Sequence, residues 1–160
     1  MKTKTAAAAA TLLCRQRVAA LGTIHEGAPV VSMVPYAILS NPFVLVILVS
    51  SLSAHTRDMR AQPKIGVLVA EAERQGAPVH ALARVSLEAS ARVLAVDDPI
   101  YASARASYVA RFPDMAMLLD LGDFKLYALA PCAVRVVLGF AQAHSLTPET
   151  LASAVAKATA

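Results

Sequence analysis

The chain has 160 residues, enough for about one domain with a substantial core. Hydrophobic residues make up 57 % and charged residues 16 %, a surplus that implies a large buried interface, most simply a homodimer. The net charge of +4 comes from 15 basic residues scattered without a run, a distribution that argues against nucleic-acid binding and suits an anionic small ligand.

The apolar stretch 6–14, broken by Thr11, is short enough for a signal h-region. Arg15 and Arg17 follow it at once with no small-x-small cleavage site. The wealth of Ala and Leu therefore predicts a helix over residues 6–20. Residues 21–25 form a strand and Glu26-Gly27 a hairpin turn. In the next strand, 29–39, Val30, Ser32, Val34 and Tyr36 share one face, and Val31, Met33, Ala37 and Leu39 the other. Pro35 donates no ladder hydrogen bond and demands an edge, a bulge or a neighbour that is not a strand.

Residues 43–49 are seven consecutive apolar positions, too few to span a bilayer and suited to a buried strand. The strand runs into Ser50, Ser51 and Ser53, and a helix starts at Ser53 with His55, Thr56 and Arg57 in its first turn. A helix N-terminus with hydroxyls and an arginine suits an anion; ordinary serine capping is the plainer alternative. Pro63 ends that helix near Gln62. Residues 64–71 are a strand and 73–78 a polar loop. Ala83, Val85, Leu87, Ala89, Ala91 and Val93 then alternate with Arg84, Ser86, Glu88, Ser90 and Arg92.

Asp98-Pro99 opens a helix as N-cap and first-turn proline, with Ile100, Ala104 and Tyr108 along one face until Pro113. A short turn at 114–119 leads through Gly122-Asp123 into a strand at 124–129. Pro131 interrupts the chain before a last strand at 133–138, and Thr147-Pro148-Glu149 starts a C-terminal helix over about 147–158. These elements make one domain over 1–160, a small antiparallel barrel of six or seven strands with helical flanks. Cys14 and Cys132 stand far apart, as thiols of a reducing cytosol do, and the expected location is cytoplasmic.

Five segments in this order, LGTIHEGAPVVSMVPYAI (21–38), LVSSLSAHTRDMRAQPKIGVLVAE (48–71), ARVSLEASARVL (83–94), DFKLYAL (123–129) and RVVLGFAQAH (135–144), resemble the FMN-binding split-barrel superfamily named after pyridoxamine 5′-phosphate oxidase. Within it the chain is most similar to the subgroup that includes haem-degrading split-barrel proteins. The resemblance implies a mainly β fold with helical flanks, a six-stranded antiparallel split β-barrel, and a homodimer with FMN in the groove between subunits. It implies that Ser32, Met33, Val34, Pro35 and Tyr36 lie against the flavin, partly through backbone. Ser50, Ser51, His55, Thr56 and Arg57 would hold its phosphate, and Arg84 would face the ring or ribityl chain.

The chain departs from the oxidase proper. It has no Trp, its C-terminal helix is unlike the oxidase's arginine-rich end, and Ala54 and His55 stand where an Arg-Lys phosphate clamp is expected. The resemblance therefore implies an FMN-dependent oxidoreductase with an unknown small-molecule substrate, not a pyridoxamine 5′-phosphate oxidase. No catalytic residue is assigned, because flavin carries its own chemistry. The alternative is a flavin- or haem-binding protein without turnover, or a haem-degrading one, with His144 of GFAQAH as an iron ligand. No spacing of His, Cys or carboxylates points to a resident metal.

Overall fold

The computed structural model describes every residue from Met1 to Ala160. Helix α1 (Lys2–Arg15) precedes the hairpin β1 (Val18–His25) and β2 (Ala28–Pro35), then β3 (Ala37–Ser40) and β4 (Phe43–Ser50). Helix α2 (Ala54–Ala61) leads to β5 (Lys64–Ala70) and β6 (Arg84–Val93), α3 (Tyr101–Arg111), β7 (Phe124–Val137), β8 (Ala143–Leu146) and α4 (Pro148–Thr159). All strand pairs are antiparallel, in the order β2-β1-β5-β6-β7-β4-β3, with β8 on the second half of β7. The barrel fold is as expected; its sheet has eight strands, not six.

Three local events turn the seven strand segments expected along the chain into these eight. The strand expected over 29–39 divides at Tyr36, and its halves β2 and β3 end up at opposite ends of the strand order, which leaves the barrel split between them. The strands expected at 124–129 and 133–138 join into β7, because Pro131 lies opposite Ala89 beside a bulge in β7, where Cys132 is the extra residue and the ladder is relieved of the missing N–H. The short β8, after the turn that follows β7, carries too little pattern to be read from sequence.

Pro35 meets its demand for an edge. The Tyr36 N–H donates to the Arg17 carbonyl at 3.1 Å, so alternation along the ladder turns the backbone groups of Pro35, Met33, Val31 and Pro29 away from β1. No strand borders that outer side of β2. Glu26 and Gly27 take positive φ at the hairpin turn, as a tight turn between twisted strands requires.

Inside the barrel, Leu21, Leu45, Ile47, Val85 and Val136 pack against Ala9, Ala10 and Leu13 of α1 and Leu151 and Val155 of α4. Small Ala side chains let α1 approach this closely. Helix α1 spans 2–15 rather than 6–20, because residues 18–20 are already paired with β2. Its last carbonyls are taken up from outside: the Tyr36 hydroxyl donates to Leu13 O at 2.6 Å, and the Arg111 guanidinium to Cys14 O at 3.2 Å and to Gln16 O. A second core on the outer side of β3, β4 and β7 joins Val44, Val46 and Leu126 to Ala104 and Tyr108 of α3 and to Phe112 just after it. Helix α3 starts at Tyr101, and Asp98 instead accepts from the Ile100 N–H and pairs with Arg92 one turn earlier. The remaining outer face, on β2, β1 and β5, is bare and apolar, with Val31 71 % and Met33 66 % exposed. No helix is long and apolar enough to cross a membrane.

Candidate functional site

Strand β4 is driven inward by its apolar run, and its end delivers the serine segment to the barrel rim. There the hydroxyls are occupied. Ser50 Oγ accepts from the Leu52 N–H at 3.1 Å and reaches the Asp123 carboxylate at 3.4 Å, and Ser51 Oγ donates to the Asp123 carbonyl at 2.8 Å. Ser53 Oγ donates to Ser50 O at 2.8 Å and lies 2.7 Å from Thr56 Oγ1. These bonds tie the entry of α2 to the turn before β7. They spend the donors expected to receive a phosphate, and they place a carboxylate beside Ser50.

Helix α2 packs on β1, and its side chains carry the rim's ionisable groups. His55 is half-buried, with Nδ1 3.4 Å from Ser32 Oγ on β2. Burial pushes its imidazole below the usual value, against a smaller opposing pull from Asp58. One turn further on, the buried Asp58 accepts from Thr23 Oγ1 at 3.3 Å and holds His25 Nδ1 at 2.7 Å. The hydrogen bond to Asp58, and then its charge, raise the His25 pKa. The exposed Arg57 guanidinium takes part in none of the ion pairs.

Of the expected site residues, the structure gathers Ser32, Ser50, Ser51, His55, Thr56 and Arg57 along this rim. The side chains of Val34 and Tyr36 point into the core, 3 % and 0 % exposed, and their backbone N–H groups face β1, so neither offers a ligand its side chain or its amide. Met33 and Pro35 face outward on the opposite side of β2 from Ser32. Arg84 opens β6 with Nη1 on Leu82 O at 3.0 Å, separated from β2 by β5 and β1. His144 lies on β8 opposite Val136, away from the rim. His25, Thr23 and Asp58 escaped sequence reasoning. The i, i+2 spacing of Thr23 and His25 put them on one strand face, but their acid partner comes from α2, 33 residues beyond His25.

The rim thus offers an imidazole held neutral by burial, a second held toward its charged form, a free guanidinium and an unpaired backbone edge. Such a set suits a flat, partly anionic ring. No three His, Cys, Asp or Glu side chains converge as a metal site would require.

Residues 5–138 match the pyridoxamine 5′-phosphate oxidase family. The chain is 35 % identical over 121 residues to the protein named non-canonical heme oxygenase HOZ, chloroplastic, of Arabidopsis thaliana, covering 74 % of this chain and 35 % of that one. It is 27 % identical over 127 residues to heme oxygenase HutZ of Vibrio cholerae, covering 79 % of this chain and 71 % of the relative. A heme binding protein from Mycobacterium smegmatis superposes with a TM-score of 0.82 at 27 % identity, over 96 % of this chain and 60 % of that chain. This chain therefore spans about a third of the chloroplast relative's length and most of the Vibrio one's.

Proposed function

The chain belongs to the pyridoxamine 5′-phosphate oxidase family of split barrels, and we infer that within it this protein handles haem. The observation that carries this reading is His55. A desolvated imidazole kept neutral, with Nδ1 fixed by Ser32 and Nε2 turned from that bond, has the form in which histidine ligates iron. The names of the relatives support the same reading.

The residues present fit haem better than they fit the phosphate of FMN. Four committed hydroxyls and the Asp123 carboxylate oppose a dianion at Ser50 and Ser51. The apolar outer face with Val18, Val31, Met33 and Leu68 suits both a porphyrin margin and a second copy of the chain. Bound haem would supply the oxygen chemistry of a haem oxygenase. The chain's own residues would bind and orient it, with His55 reaching in from the rim.

An FMN-binding oxidoreductase acting on a small molecule is the second reading, favoured by Arg57 in the first turn of α2 and by the free edge of β2. In either case two copies pair through the apolar face as a homodimer. The test is spectroscopic. With haemin bound, His55→Ala moves the Soret band and weakens binding by about tenfold or more; an unchanged spectrum and affinity removes His55 as the ligand.

A further inference from the structure

The outer face of the sheet changes character across its strands. One ladder row runs from Met33 through Ala20 and Leu68 to Ser86, Arg135 and Ser145. It is apolar on β2, β1 and β5 and polar beyond. In the adjoining row Arg84 stands opposite Val137, which makes Arg84 and Arg135 diagonal neighbours on adjacent strands. Two like charges so placed repel each other. The ion pairs of the structure join His25 to Asp58, Arg74 to Glu71 and Arg92 to Asp98, and none includes Arg84 or Arg135. Glu88, the nearest carboxylate along this face of β6, pairs with neither.

The two arginines line a cleft of about 370 Å³ with His80, Ser86 and Gln142. The turn after β7 closes one end, with Gln142 N–H donating to Gly139 O and Leu138 N–H to Gln142 O, each at 3.2 Å. Arg84 is steadied by its bond to Leu82 O, which occupies one of five donors and leaves the rest for the cleft. A guanidinium presents its donors as a fork that matches a carboxylate or phosphate in two parallel bonds. Leu68 and Arg135 are two strand spacings apart, about 10 Å, so the basic half adjoins the apolar half on one outer face.

We propose that this cleft binds paired oxyanions, with Arg84 and Arg135 as its two cationic walls and the carboxylate pair of a planar ligand as their occupant. The proposal rests on the reading that this protein binds haem and not on His55 as the iron's ligand, since haem carries two propionates on one side of its ring. Arg135, His80 and Gln142 thereby join Arg84 in ligand binding.

The test compares haemin, haem dimethyl ester and inorganic pyrophosphate on wild type, Arg135→Ala and the double variant Arg84→Ala/Arg135→Ala, with thermal melting to confirm folding and Arg135→Lys as the charge-keeping control. Wild type binds haemin about tenfold or more tighter than the ester, and the double variant loses that preference while still binding the ester. Equal affinity for haemin and ester in wild type, or a double variant that keeps the preference, overturns the proposal. If wild type binds no haem at all, the haem reading falls and pyrophosphate decides the cleft. Binding by wild type that is lost in the double variant upholds an oxyanion site, and no binding by wild type overturns that too.

Discussion

Tyr36 shows how a single polar atom can settle a residue's role. Its ring is fully buried, and its hydroxyl caps a carbonyl of α1 at 2.6 Å, with the Arg111 guanidinium 5.4 Å from the ring centroid. Burial pushes the phenol far above its usual pKa, so the hydroxyl stays a donor at any working pH. Tyr36→Phe leaves Leu13 O without this partner and costs about 1–3 kcal/mol of stability in denaturant unfolding, with ligand affinity unchanged. A loss of ligand binding without a loss of stability would instead place Tyr36 at the ligand. The His25–Asp58 pair gives a pH signature. Because the folded pKa of His25 is raised, its contribution is complete below the unfolded value near 6.5 and fades as pH climbs through the folded value. Wild type therefore loses more melting temperature than Asp58→Asn between pH 5.5 and a pH above the folded pKa of His25. Parallel pH profiles for the two proteins would show that the pair contributes nothing.

At the scale of elements, α1 depends on groups far away in sequence. Arg111, at the end of α3, serves the last carbonyls of a helix that starts the chain, and Arg17 returns a bond to Arg111 O at 3.3 Å. Arg111→Met removes the cation from that helix terminus, costs about 1–2 kcal/mol, and speeds amide exchange in the last turn of α1 and in β3. Exchange rates unaltered in those two elements would contradict this account. The same long reach explains what the sequence could show. Residues 43–50 are plain as an unbroken apolar run buried on both faces, and residues 84–93 as an alternation that buries one face. The end of α1 at Arg15 was hidden, since Ala and Leu continue to favour helix there and pairing with β2 overrides them. The serine segment reads as a helix entry, but whether its hydroxyls are free depends on Asp123, more than 70 residues away. Composition near Ser50 carried no trace of that acid.

For the whole molecule, the decisive feature is the two-sided outer face, apolar on β2, β1 and β5 and basic on β6 and β7. Gly22 and Gly66 lie opposite each other at its middle, so no side chain interrupts the apolar part. A patch of this kind in a chain that is 57 % hydrophobic calls for a cover, and the homodimer proposed above would supply a self-complementary one. Met33→Glu, at a position 66 % exposed, leaves the fold intact and shifts the light-scattering mass from dimer to monomer; a wild type that is monomeric at high concentration would rule out pairing through this face. The central claim, that this split barrel handles haem, is tested most directly by titrating the purified wild-type protein with haemin in parallel with FMN and following the absorbance. The account predicts a saturable Soret band at one haem per protomer and weaker uptake of FMN. A protein that takes FMN tightly and shows no saturable haem spectrum would contradict it.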